Sequence, residues 1–191
     1  GIAPYIKLFQ EQYPNVEVSI SVNRAQKSIE LLRNYEIDLA VVSLRNFSIE
    51  GLNIQPLVED KLLLVYSPMS RLASLSEIRI EDLAKETFLL HEQGSTSRTV
   101  ANEWAEQVGF QLHHSMELGA IETIKEGVKA NMGVGVLPEK SVQRELEAGE
   151  LLASPLPNYE YRRCICLVYR NEDNMSEQVR NFIWFAIEHM K

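Results

Sequence analysis

Residues 92–98 place hydroxyl and guanidinium groups at the start of a predicted helix. Ser95, Thr96, Ser97 and Arg98 follow a predicted strand and open this helix. Free backbone N–H groups and the helix dipole favour an anion at such a position. The stretch therefore predicts a place for a carboxylate, sulfate or phosphate group. The alternative is that one hydroxyl only caps the helix while Arg98 is solvated.

Two further segments occupy the equivalent place between a strand and a helix. An open α/β sheet binds its ligand beyond the carboxyl ends of its strands, so we expect the three loops to face one crevice. For any single loop, ordinary capping or turn formation is the alternative. The candidate ligand contacts are Asn23, Arg24, Ala25, Ser95, Thr96, Ser97, Arg98, Gly119, Ala120, Ile121 and Thr123.

Motifs for catalysis, metal binding and dinucleotide binding are missing from the sequence. The four histidines, His91, His113, His114 and His189, are not at metal-ligand spacing. His113 and His114 are adjacent in a predicted strand and would point to opposite faces. We therefore expect no catalytic residue, no metal and no cofactor.

The glycine-rich run that begins at Gly133 leads from a helix into a strand. A dinucleotide-binding loop leads from a strand into a helix, which is the opposite order. A helix-terminating glycine followed by close backbone packing is therefore the favoured interpretation.

Composition and charge restrict the function further. The 191 residues are 45% hydrophobic and 24% charged, which is typical of a globular protein. There are 19 lysines and arginines against 27 aspartates and glutamates, a net charge of −8, so we expect no direct DNA binding by this chain.

Cellular location is predicted from cysteine usage and apolar run length. Cys164 and Cys166 would share one face of a strand, which suits neither a disulfide nor a zinc ribbon and favours a reduced, cytoplasmic protein. No apolar stretch approaches the roughly 18 residues of a membrane span and no signal sequence opens the chain, so we expect no membrane contact. Gly1 leads directly into a helical pattern without an initiator methionine, so we expect a fragment of a longer protein.

Helical and extended patterns alternate along the chain. This alternation predicts an α/β fold with parallel sheets. Predicted helices cover residues 2–13, 29–35, 80–85, 96–108, 121–130 and 141–148, with a last helix opened by a capping-box-like pair, Asn174 and Glu177. Predicted strands cover residues 16–22, 37–43, 61–66, 87–91, 112–116, 134–137 and 164–170.

The long extended runs at residues 61–66 and 164–170 bracket a self-contained block of three strand-helix units. If both runs cross between lobes, residues 1–66 and 168–191 form lobe I and residues 67–167 form lobe II. A cleft would then lie between the lobes.

The order and spacing of several motifs resemble the effector-binding domain of LysR-type transcriptional regulators. The resemblance covers nearly the whole chain. The matching motifs are Pro4-x4-Phe9-x3-Tyr13-Pro14, Glu36-Ile37-Asp38-Leu39-Ala40, Glu92-x-Gly94-Ser95, and Ile124-x3-Val128 running into Gly133-Val134-Gly135-Val136-Leu137-Pro138.

This resemblance implies a type II periplasmic-binding-protein-like fold, with two Rossmann-like lobes joined by two crossover strands. It also implies a small effector between the lobes and transcription regulation without catalysis. DNA would be bound only through an N-terminal winged helix-turn-helix, which is absent from this chain together with the first strand of the domain. We expect the effector to be an anion, because of the groups at the helix starts.

The family further implies a homodimer or homotetramer, in which residues 4–13 of one subunit pack against residues 121–130 of another. The alternatives are a solute-binding receptor of a transport system and an enzyme on the same fold.

Overall fold

The computed structural model describes residues 3–19, 23–160, 162–172 and 175–190. The chain forms two compact units, one of Gly1–Asp60 with Arg162–Lys191 and one of Lys61–Tyr161. Helices and strands alternate along most of the chain, as the hydrophobic patterns predict. The elements are α1 (Ala3–Gln12), α2 (Ala25–Arg33), β1 (Leu39–Leu44), β2 (Leu52–Glu59), β3 (Leu62–Tyr66), two 3-10 turns (Arg71–Ser74 and Ile80–Leu83), β4 (Phe88–His91), α3 (Thr96–Val108), β5 (Ser115–Leu118), α4 (Ile121–Lys129), β6 (Val134–Pro138), α5 (Glu139–Glu147), β7 (Leu152–Pro155), β8 (Cys164–Arg170) and α6 (Glu177–His189).

Within the described residues, the sheet of the first unit has the order β1-β8-β2 and both of its strand pairs are antiparallel, so the prediction of parallel strands is wrong for these pairs. Strand β2 was not predicted because it contains Pro56. Proline is tolerated at this place because β2 lies at the edge of the sheet and bulges between Pro56 and Val58. Val16 and Val18, predicted to lie in a strand, are in irregular chain, and Ile20 and Val22 lie outside the described residues.

Helices cover both faces of this sheet. On one face, Leu32 of α2 packs against Val42 of β1 and Cys166 of β8. On the other face, Ile183 and Ala186 of α6 pack against Leu57 and Leu167. Helix α1 is held to α6 by aromatic contacts, because the Phe9 ring lies 5.0 Å from Phe182 and 5.7 Å from Phe185. The first unit is therefore a three-layer α/β/α structure.

The sheet of the second unit has the order β5-β4-β6-β3-β7. Strand β4 is parallel to β5 and β6, as predicted, whereas β3 is antiparallel to β6 and β7. Helix α3 covers one face through Val100 and Trp104, and α4 and α5 cover the other through Ile124, Val128 and Val142. This arrangement places the starts of α3 and α4 directly after two neighbouring parallel strands.

Two details correct the prediction for the region around β5. This strand starts at Ser115 rather than at residue 112, so His113 and His114 precede it and do not alternate across a sheet. Helix α4 ends at Lys129, and the left-handed residue that follows it is Asn131, with a φ of 57°, rather than Gly133. The predicted close packing does occur at Gly133, where a Cβ atom would lie 2.4 Å from the carbonyl oxygen of Thr87.

Several helix ends follow from local capping. Helix α3 has the predicted bounds and ends at Gly109, whose φ of 69° is left-handed. Ser176 caps α6, because its side chain accepts a hydrogen bond from the backbone N–H of Val179. The predicted cap, Asn174, lies outside the described residues. Among the helices of the described ranges, none has the length and apolar character needed to cross a bilayer.

Candidate functional site

The starts of α3 and α4 both lie beyond the carboxyl ends of the parallel strands in the second unit's sheet. Strands β4 and β5 pair in parallel with His91 opposite Leu118, so that both strands end together. The two loops that follow are also in contact, because His91 Nε2 lies 3.3 Å from the carbonyl oxygen of Gly119. Two helix N-termini therefore converge beyond neighbouring strand ends, an arrangement that favours a negatively charged group.

Ser95 caps α3. Its Oγ accepts a hydrogen bond from the backbone N–H of Arg98 at 3.2 Å and donates one to the carbonyl oxygen of Glu92 at 2.9 Å. Ser95 therefore caps the helix, and its role as a ligand contact stays a prediction. Thr96 is exposed, whereas Ser97 is buried and its hydroxyl has no hydrogen-bond partner within the described part of the chain.

Arg98 is held by the protein rather than solvated, since its side chain is only 13% exposed. Its Nη1 donates a hydrogen bond to the carbonyl oxygen of His91 at 3.1 Å and lies 3.4 Å from Glu117 Oε2. Its Nε donates to Asn102 Oδ1 at 3.2 Å. The guanidinium therefore ties the first turn of α3 to the ends of β4 and β5. These contacts use Nε and Nη1, and leave Nη2 without a partner among the described residues.

The start of α4 is open. Ala120 occupies the N-cap position in an extended conformation, and no side chain caps the helix. Gly119, Ala120 and Thr123 are exposed, and a Cβ atom on Gly119 would have no neighbour within 4 Å. The first turn of α4 can therefore accept a ligand without displacing a capping side chain.

The third predicted loop belongs to the first unit. Arg24 is the N-cap residue of α2, with extended backbone and no side-chain cap, and Ala25 is the first residue of the helix. Asn23 and Arg24 both make contacts with other groups of the protein. Their role as ligand contacts stays a prediction.

A buried ion pair supports α4 from behind, and sequence reasoning missed it. Lys125 Nζ lies 2.8 Å from Glu145 Oε1 on α5 and 3.1 Å from Glu122 Oε1, and it donates a hydrogen bond to the carbonyl oxygen of Ser141 at 2.8 Å. Burial alone lowers the pKa of Lys125, but the hydrogen bonds and charges of Glu145 and Glu122 outweigh burial and raise it. The sequence signal for this ion pair is that Lys125 lies four residues after Ile121, and therefore on the apolar side of the helix where a lysine needs a partner.

The cysteines of β8 lie on one face of their strand, as predicted. Cys164 and Cys166 are both free and buried in the core of the first unit. Burial, and to a smaller extent the neighbouring Cys164, raises the pKa of Cys166 to about 11. Within the ranges that the structure describes, no group of three or more His, Cys, Asp or Glu side chains could hold a metal ion.

Comparison with known proteins identifies the family and the fold class of this chain. The chain superimposes on solved regulatory domains of the type II periplasmic-binding-protein-like fold, including that of a LysR family regulator, MetR, from N. meningitidis, with a TM-score of 0.79 and 19% identity over 98% of this chain and 86% of that one. The family model of the LysR substrate binding domain matches residues 2–191. The chain belongs to this family.

Two relatives show the level of similarity. The chain is 30% identical over 183 residues to a probable RuBisCO transcriptional regulator of Synechocystis, with 93% of this chain and 53% of that protein covered. It is 25% identical to the regulatory domain of CcmR from Synechocystis PCC6803, solved in complex with 2-PG, with a TM-score of 0.78 and coverage of 100% and 91%. The chain spans about half the length of the curated relatives it matches.

These findings confirm the predicted family and fold class. They also confirm the prediction of a regulator domain rather than an enzyme, because the family is one of regulators and the named relatives regulate transcription. The solute-receptor and enzyme alternatives are not favoured.

Proposed function

We propose that this chain is the effector-sensing part of a transcriptional regulator, and that a small molecule bound at the starts of α3 and α4 controls DNA binding by the whole protein. The family match over residues 2–191 carries this proposal. A ligand that binds one conformation better than another shifts the population toward it. DNA recognition would then respond to the effector through linkage between the two binding sites.

The effector is an anion in this proposal. Two helix N-termini point to the same sheet edge, Arg98 Nη2 is without a protein partner in the described ranges, and the buried Ser97 hydroxyl lacks one as well. A CcmR domain 25% identical to this chain was solved with 2-PG, which supports a small effector. The proposed contacts of the second unit are Ser95, Thr96, Ser97, Arg98, Gly119, Ala120, Ile121 and Thr123, and those of the first unit are Asn23, Arg24 and Ala25.

The partners of the whole regulator belong to the same proposal. DNA is bound by a part of the protein other than this chain, whose net charge of −8 disfavours a polyanion. The regulator forms a homodimer or homotetramer in which α1 packs against α4 of a second copy. It acts in the cytoplasm, where its target DNA lies.

Calorimetric titration of the chain with small carboxylates, sulfate, phosphate and 2-PG tests the effector site. We expect saturable binding of an anion, weakened about ten- to a hundredfold by Arg98→Met, because a charged hydrogen bond contributes roughly 1.5–3 kcal/mol. Arg144→Met removes the same charge from an exposed position of α5 and should leave the affinity unchanged. The anion proposal is wrong if the best ligand is neutral, or if Arg98→Met lowers the unfolding midpoint while the affinity stays the same.

A further inference from the structure

Glu117 presents a carboxylate to the guanidinium that we propose to bind the effector. We infer that Glu117 is a built-in competitor, whose carboxylate pairs with Nη1 of Arg98, partly neutralises the guanidinium and repels an anion that approaches Nη2. The inference rests on the proposed function of Arg98. Its structural basis is the 3.4 Å separation between Glu117 Oε2 and Arg98 Nη1.

The two side chains of this pair are held very differently. Arg98 is 13% exposed and is fixed by hydrogen bonds to the His91 carbonyl oxygen and to Asn102. The side chain of Glu117 is 55% exposed, lies on the edge strand β5, and has this one ion pair among the described residues. A ligand can therefore displace the carboxylate of Glu117 while the guanidinium stays in position.

The energy of the pair is small enough for displacement. An ion pair with one exposed partner typically stabilises by an amount that, if lost, changes the affinity for a ligand by well under tenfold. An effector that also contacts the backbone N–H groups of α3 and α4 gains interactions for which Glu117 does not compete. An anion without those further contacts loses most of its small affinity to the competition.

A higher threshold for occupancy is the consequence. The Glu117 carboxylate lowers the affinity of all anions by a similar factor, so an anion without further contacts leaves Arg98 largely unoccupied at concentrations where a tightly held effector still binds. Glu117 therefore sets the affinity that an anion needs in order to occupy the site.

Titration of the chain with sodium sulfate and inorganic phosphate tests this inference, with wild type, Glu117→Gln and Glu126→Gln compared. We expect Glu117→Gln to tighten binding about two- to fivefold, in line with the strength of exposed ion pairs. Glu126→Gln is the matched control, because it removes the same charge from α4 at an exposed position paired with Lys129 instead of Arg98. Its affinity should equal that of wild type.

A double-mutant cycle assigns the effect to the contact. In an Arg98→Met background, Glu117→Gln should produce no further tightening. The competitor inference is overturned if Glu117→Gln binds the anions no tighter than wild type, or if Glu126→Gln tightens binding equally. In either case the anion site itself is still supported if Arg98→Met weakens anion binding. If neither wild type nor Glu117→Gln binds sulfate or phosphate, the competitor inference is wrong, and the anionic effector is wrong as well if the chain binds no carboxylate and no 2-PG.

Discussion

Lys125 Nζ lies 2.8 Å from Glu145 Oε1, so a buried ion pair joins α4 to α5 in the second unit. The two side chains are only 8% and 11% exposed. Glu122 and the Ser141 carbonyl oxygen accept the other hydrogen bonds of the ammonium group, whereas Glu145 Oε2 is buried without a partner in the described chain. The helix whose first turn belongs to the proposed effector site is therefore anchored by a charged contact one turn further along.

Removing one partner of this pair should destabilise the protein strongly. Lys125→Met leaves the Glu145 carboxylate buried and uncompensated, and we expect a loss of about 3–5 kcal/mol in the free energy of unfolding. The double variant Lys125→Met, Glu145→Leu should recover most of that loss, since an apolar pair of similar size needs no desolvated charge. Urea unfolding measures both. A single variant as stable as wild type would show that the pair is not buried in solution.

The same pair should make stability depend on pH at the acid end. The hydrogen bond from Lys125 lowers the pKa of Glu145 and outweighs burial, which acts in the opposite direction. A lowered pKa in the folded state contributes stability above the ordinary value of 4.5, and this contribution is lost as the pH falls through the folded value. Wild type should thus exceed Glu145→Gln in stability at pH 6, and the difference should shrink toward pH 3.

Urea unfolding between pH 3 and pH 6 measures this difference. Glu147→Gln, at an exposed position of the same helix, is the control and should stay within about 0.5 kcal/mol of wild type throughout. A constant difference between wild type and Glu145→Gln over this range would contradict the assignment.

Gly133 should tolerate no side chain. A Cβ atom there would lie 2.4 Å from the Thr87 carbonyl oxygen, so Gly133→Ala must shift the backbone that connects α4 to β6. We expect a loss of about 1–3 kcal/mol, as for other overpacked sites. Gly119→Ala serves as the comparison, since nothing lies within 4 Å of the added atom, and its stability should match wild type. Thermal unfolding of both variants checks the prediction.

The two cysteines should be unreactive in the native state. Burial is the larger cause that raises the pKa of Cys166 to about 11, and thiolates rather than thiols are the nucleophiles. A colorimetric disulfide reagent at pH 8 should titrate neither thiol of the folded chain, and both after unfolding in guanidinium chloride. Rapid reaction of the folded chain would show that the core of the first unit opens readily.

Self-association through α1 stays a prediction with a direct test. Leu8 is 47% exposed on α1, so its apolar side chain is available for contact with a second copy of the chain. Leu8→Glu should shift sedimentation equilibrium toward monomer, whereas Gln10→Glu, at another exposed position of α1, should have a smaller effect. A wild-type chain that is already monomeric at tens of micromolar would contradict the pairing.

Local signals in the sequence predicted the helices better than the sheets. Helix α3 could be bounded correctly because Ser95 and Gly109 act on backbone groups within a few residues of themselves. Strand β2 could not be predicted in this way, because a proline such as Pro56 is acceptable in a strand only at the edge of a sheet. Whether a strand lies at the edge depends on which strands pair. The antiparallel pairing of Val42 with Cys166 joins residues far apart in the chain, and no local pattern specifies its direction.

The amino-acid sequence alone shows which residues open α3 and α4, which groups they carry, and the family to which the chain belongs. What those groups contact depends on how the folded chain packs. Arg98 is bound to the His91 carbonyl oxygen and to Glu117, and Lys125 is bound to Glu145, because folding brings these partners together from separate elements. Periodicity and capping are properties of neighbouring residues, whereas the partner of a charged side chain is set by how helices pack against the sheet.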